Sequence, residues 1–132
     1  MKINNFKLED FFSKYEFSVK YNLCASDTES FSVKEVLGGL DENLSNLLNL
    51  SLGYTQPWGD PLLREAIAKE FYSGFSKNNI LTFSGAEEAI FCALHTLCDK
   101  NDEVIVFTPA YQSLLEVPRL KKAKVIEIPL NK

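Results

Sequence analysis

The hydrophobic positions change period along the chain, and the changes divide it into elements. Residues 5–17 set Phe6, Leu8, Phe11, Phe12, Tyr15 and Phe17 among charges, an amphipathic arm or short helix that needs a partner surface. Residues 18–31 are polar and irregular. Ser32 with Glu35 three positions on makes a capping box, so a short helix starts there and stops at Gly38-Gly39. Residues 51–61 combine Gly, Pro, Tyr54 and Trp58, which predicts a structured loop with apolar area to place. Asp60 caps the next helix and Pro61 fits its first position. That helix, over 62–71, puts Leu63, Ile67 and Phe71 on one face. A strand follows at 80–83, a turn at Ser84-Gly85, and a helix to about residue 98. Ala89, Ala93 and Leu97 share a face of it, with Ile90 and Leu94 beside them. Asn101-Asp102 turns into the clearest strand, 103–107, broken by Pro109. Residues 111–121 read as a helical segment bent or interrupted at Pro118, and a last strand runs over 124–128.

Strand–helix–strand–helix–strand implies an α/β fold with mostly parallel strands and right-handed crossovers. No repeat or low-complexity tract occurs.

Composition alters this little. The 132 residues are 45% hydrophobic and 24% charged, as in an ordinary globular domain. Net charge is −4, and the one basic cluster, Arg119, Lys121, Lys122 and Lys124, reads as a solvated face rather than a nucleic-acid stripe. The three cysteines, Cys24, Cys92 and Cys98, lack the spacing of a disulfide framework or zinc site. Free thiols suit a cytoplasmic location. No signal peptide or membrane-length apolar run is visible.

The residues that could carry chemistry lie past strand ends. At Phe83-Ser84-Gly85-Ala86-Glu87 a strand enters a helix through a tight turn. The first amides of that helix have no internal partner and can hold a phosphate. The same residues also read as a plain N-cap, since Ser84 and Glu87 have capping-box spacing. For phosphate to bind, the Glu87 and Glu88 side chains must point away. Tyr111 lies beyond the next strand on the same edge, where open parallel sheets bind ligands; it is a stacking surface or a packed loop residue. Arg64 reads as a surface ion-pair residue. His95, the sole histidine, has no partners for a nucleophilic triad or a metal site.

Taken in order, Tyr54-x4-Gly59-x3-Leu63-Arg64-Glu65-Ala66-Ile67-Ala68, Asn79-Ile80, Ser84-Gly85-Ala86-x2-Ala89-Ile90 and Asp102-Glu103-Val104-Ile105-Val106-x2-Pro109-x-Tyr111 resemble the start of a class I/II aminotransferase of pyridoxal-phosphate (PLP) fold type I. The resemblance covers about residues 20–130. It implies an α/β fold: the N-terminal part of the fold type I PLP-transferase large domain, with an incomplete sheet, because in that family later strands separate the first strand from the second and third. Residues 1–31 would be an N-terminal arm and substrate-side segment, with 21–26 loosely similar to the part near substrate, and 32–132 a partial large, cofactor-binding domain.

The resemblance also assigns roles. Ser84, Gly85, Ala86 and Glu87 would cradle the phosphate of pyridoxal 5′-phosphate. Tyr111 would stack on its ring, and Tyr54 would reach the phosphate in a partner subunit. Asn101 replaces the family's usual turn glycine, and Asn tolerates a left-handed backbone. The implied activity is amino transfer from an amino acid to a 2-oxo acid, in amino-acid metabolism. The family's Schiff-base lysine and the aspartate that pairs with the ring nitrogen lie beyond residue 132, so no catalytic residue is assigned and the chain is expected to be inactive alone. Its partners would be a small-molecule amino acid or 2-oxo acid and either a second copy in a homodimer or a complementing C-terminal chain, with no nucleic acid and no membrane. Two other readings stay open: a non-catalytic phosphate-ligand-binding or partner module, and a non-functional truncated gene product.

Overall fold

The computed structural model describes residues 3–38 and 41–131. Helix α1 (Lys7–Tyr15) bears out the amphipathic arm. Glu9 and Asp10 sit in its first turn and Lys14 in its last, each matching the sign of the helix dipole. Phe11 packs at a tilt against Tyr15, ring centroids 4.8 Å apart, yet no residue of α1 is buried. Helix α2 (Val33–Val36) starts with the expected capping box, Ser32 Oγ accepting from Glu35 N–H while the Glu35 carboxylate accepts from Ser32 N–H. Gly38 takes φ +65° at its end; Gly39, the other predicted stop residue, lies outside the described residues. Helix α3 (Asp41–Leu48) was not predicted, although Leu44, Leu47 and Leu48 have helical spacing. Their side chains stay exposed.

Helix α4 (Pro61–Phe71) is capped as the sequence predicts: Asp60 Oδ1 accepts from Leu62 and Leu63 N–H at 2.9 and 3.0 Å. The buried stripe differs from the expected one. Leu63 and Phe71 are exposed, and Arg64 and Ala68 are buried instead, because the loop 56–59 and the 3-10 turn Lys77–Asn79 pack against that side.

Residues 80–83 are extended but form no ladder among the described residues, which corrects the strand expected there. Thr82 N–H instead donates to Trp58 C=O at 3.1 Å, so this segment is held by a loop. The sheet among the described residues has two strands, β1 (Glu103–Thr108) and β2 (Lys124–Pro129), paired in parallel from Glu103↔Lys124 to Thr108↔Pro129. The open sheet and the separated first segment agree with the expected N-terminal part of fold type I.

Helix α5 (Ala86–Leu97) precedes β1, and α6 (Ser113–Leu120) makes the crossover to β2. Pro118 neither ends nor interrupts α6; it is fully buried inside it. Its missing N–H leaves the Leu114 carbonyl without its i+4 donor, a local cost that α6 tolerates. The core gathers here: Cys98, Val106, Val117 and Ala123, with Pro118 and Ser113. The predicted α5 face is only half right. Ala89, Ile90 and Leu94 are half-buried, while Ala93 and Leu97 are exposed. Asn101 adopts φ +76° in the turn before β1, as expected of that residue. The basic cluster is solvated and ion-paired: Arg119 to Glu116 and Glu127, Lys121 to Asp99, Lys124 to Glu103.

Candidate functional site: the turn before α5 and the Tyr111 loop

The turn at 84–85 is aimed by the knot beneath it. Arg64, 4% exposed, corrects the surface ion-pair reading. Its guanidinium donates to Gly59 C=O (3.1 Å), Lys77 C=O (2.8 Å) and Gln56 Oε1 (3.1 Å), and it lies over the Trp58 ring. A buried cation without a carboxylate needs such oxygen partners. Gly59, at φ +102°, lets the loop meet the extended segment: a Cβ there would stand 1.8 Å from Thr82 Oγ1. Loop 56–59, α4 and residues 80–82 thus form one block, and the chain leaves it directly into the turn.

Gly85, not Ser84, is the N-cap of α5, and no side chain caps it. The helix therefore starts one residue later than the Ser84–Glu87 capping box requires. Glu88 takes the third helical position and accepts from Ser84 N–H at 2.8 Å. That folds the Glu88 carboxylate back on the turn and leaves the first amides of the helix without intrahelical acceptors. Nothing lies within 4 Å of where a Cβ on Gly85 would stand, so that side of the turn is open, while the Glu88 carboxylate occupies the Ser84 amide. Uncapped donors at the positive end of a twelve-residue helix fit a phosphate, but the Glu88 carboxylate folds onto the turn rather than pointing away as phosphate binding requires.

Tyr111 lies beyond the carboxyl end of β1, 39% exposed, with its ring against Phe6 at 5.0 Å and 59°. Its hydroxyl pKa is raised, by burial first and then by the negative charges of Glu87, Glu9 and Asp27. Tyr111 follows β1 as the 84–85 turn follows the extended segment at 80–83. Tyr54 has its side chain wholly exposed among the described residues. In the 21–26 segment Tyr21 and Leu23 are exposed and Asn22 Oδ1 accepts from Cys24 N–H. An apolar groove of about 640 Å³ runs from the turn along α4, lined by Leu63, Ile67, Phe75, Ile80, Phe83 and Ala89.

The cysteines are free thiols, with Cys92 half-buried. His95 stacks on Phe91 at 5.3 Å. No metal-holding cluster occurs among the described residues, nor any helix long and apolar enough to cross a membrane. Sequence reasoning missed Gln56 and Thr82, which tie the block, and Phe6 and Gln112, which tie the arm. Gly59 entered the sequence reading only through the motif spacing Tyr54-x4-Gly59-x3-Leu63.

The sequence matches the family described as aminotransferase class I and II over residues 19–132. An aspartate aminotransferase of Pyrococcus horikoshii is 37% identical over 82 residues, which is 59% of this chain and 21% of that protein. An uncharacterized HTH-type transcriptional regulator of Escherichia coli is 32% identical over 108 residues, 80% of this chain and 23% of that protein. The crystal structure of a PLP-dependent aminotransferase from Streptococcus suis superposes with a TM-score of 0.88 at 26% identity, covering 99% of this chain and 36% of that one. The chain therefore spans less than a third of the length of these curated relatives.

Proposed function

Because the chain belongs to the class I and II aminotransferase family, we propose that it forms the part of a PLP-dependent aminotransferase that receives the cofactor's phosphate and one face of its ring. The observation that carries this is the uncapped start of α5, with Tyr111 following the carboxyl end of β1. The amides of Ala86 and Glu87, with the open side of Gly85 and the Ser84 hydroxyl, would hold the phosphate. The Tyr111 ring would stack on the pyridine. Tyr54, extended into solvent, is free to reach the phosphate of a second subunit. When bound, pyridoxal phosphate supplies an electron sink for moving an amino group from an amino acid to a 2-oxo acid.

These residues position the cofactor and exclude water from one face of it; none of them moves a proton in the reaction. The lysine and aspartate such chemistry needs have no counterpart in the family motifs carried here, so the 132 residues are inactive by themselves. Residues 1–31 act as an arm on the partial cofactor domain of 32–132. The three free thiols fit a cytoplasmic setting.

A second reading has its own observation. The same region recurs, at 32% identity, in a transcriptional regulator, so a non-catalytic ligand-sensing module also fits. Titration of the chain with pyridoxal phosphate, followed by absorbance, thermal stability and borohydride labelling, separates the readings. Saturable stabilisation without covalent labelling supports a cofactor cradle without its lysine. Covalent labelling of one lysine would overturn the inactivity claim. A folded chain indifferent to the cofactor would overturn the proposal.

A further inference from the structure

We propose that residues 4–7 are a strap that holds the Tyr111 ring in place, with the Gln112 carboxamide as its latch. This rests on the reading of Tyr111 as the ring that meets the cofactor, and it makes Gln112 and Phe6 positioning residues.

The geometry begins with a defect in α1. Its N-cap is Phe6, which has no side-chain oxygen, so no local cap forms and the Lys7 amide is an orphan donor. Gln112 supplies the cap from the other end of the chain. Its Oε1 accepts from Lys7 N–H at 3.0 Å and its Nε2 donates to Asn5 C=O at 2.9 Å. A donor on one side and an acceptor on the other fix the orientation of the amide. Asn4 Nδ2 adds a bond to Glu116 Oε2 at 3.0 Å, and the other Glu116 oxygen is held by Arg119, itself paired with Glu127 on β2. The strap is therefore anchored to the best-packed part of the molecule.

Between the two backbone groups that Gln112 grips lies Phe6, whose ring packs at a tilt against that of Tyr111. A tyrosine on a short loop otherwise loses rotamer freedom only when a ligand orders it; ordering it beforehand lowers the cost of binding. Burial first, then the negative charges of Glu87 on α5, Glu9 on α1 and Asp27 in the 18–31 segment, raise the pKa of the phenol. The strap leads into α1, which carries Glu9, so releasing it should also change how the phenol titrates.

The test uses the 132-residue chain with carbon-13-labelled tyrosine, the Tyr111 signal being assigned by Tyr111→Phe. In Gln112→Ala the Lys7 amide should exchange about fivefold faster, as loss of one ordinary hydrogen bond implies. The Tyr111 ring signal should move, and its ionisation should fall back toward that of a free tyrosine. Phe6→Leu, which keeps the latch, should move the Tyr111 signal and leave the Lys7 amide protected. A Tyr111 signal unmoved in both variants would overturn the strap, as would an unchanged Lys7 amide in Gln112→Ala. Pyridoxamine 5′-phosphate titration then isolates the underlying reading. If the strap readouts hold and affinity drops severalfold in Gln112→Ala, both stand. If they hold and affinity does not change, the strap stands and Tyr111 is not the cofactor platform.

Discussion

Residues 98–123 and residues 3–58 are built from similar proportions of apolar side chains and end up differently. The first stretch holds Cys98, Val106, Ser113, Val117, Pro118 and Ala123 in a closed core; the second contributes no buried residue among those described. Leu23 and Leu52 are more than nine-tenths exposed. The difference lies in closure. A parallel strand pair with its crossover helix brings three apolar surfaces together within thirty residues. The short N-terminal helices each carry one apolar stripe and bury it against no second surface among the described residues. Burial here is decided by topology, and hydrophobicity only supplies candidates.

The sharpest way to break the comparison is one charge placed in each region. Val117→Asp buries an unpaired carboxylate in the core and should cost about 4 kcal/mol or more. Leu52→Asp should stay within about 0.5 kcal/mol. Urea denaturation measures both, and equal losses would deny that the core is confined to the second region. Next in size is Gly59→Ala, which meets Thr82 and forces an unfavourable φ; about 2–3 kcal/mol is expected. Gly74→Ala has φ +88° but no neighbour within 4 Å, so about 1 kcal/mol is expected. The gap between the two measures how firmly the loop is locked to residues 80–82.

Asp60→Ala removes both cap bonds of α4 and should cost about 1 kcal/mol, read as a lowered melting temperature. The smallest effect is electrostatic. An unfolded chain ionises Tyr111 near its ordinary pKa of 10.0, whereas the folded chain holds the proton to higher pH. The unfolded state therefore sheds that proton first, and stability falls as pH rises past 10 until the folded phenol ionises too. Alkaline unfolding of Tyr111→Phe should lack that part of the slope.

How much was legible followed the range of the physics. Caps and turns are local, so Ser32, Asp60, Pro61 and Asn101 take the places their chemistry predicts. The strand at 103–108 and its partner were readable from β-branched runs. The segment 80–83 was read as a strand because its residues suit one, but a strand needs a neighbour, and among the described residues the neighbour is a loop carbonyl. The α4 face misled for a similar reason: Arg64 is buried because three backbone and side-chain oxygens converge on it, a convergence no local pattern encodes. At the candidate site, Ser84-Gly85 and Tyr111 were visible as residues past strand ends. The Gln112 latch was not, since its partners lie 105 positions or more away.

The most direct test of the cofactor reading is the amide spectrum of the chain as pyridoxamine 5′-phosphate is added, with pyridoxamine as the control. The account predicts saturable shifts at Gly85, Ala86 and Glu87 and at the Tyr111 ring, with the unphosphorylated compound leaving the amides in place. Shifts centred elsewhere, or the same response to both compounds, would contradict it.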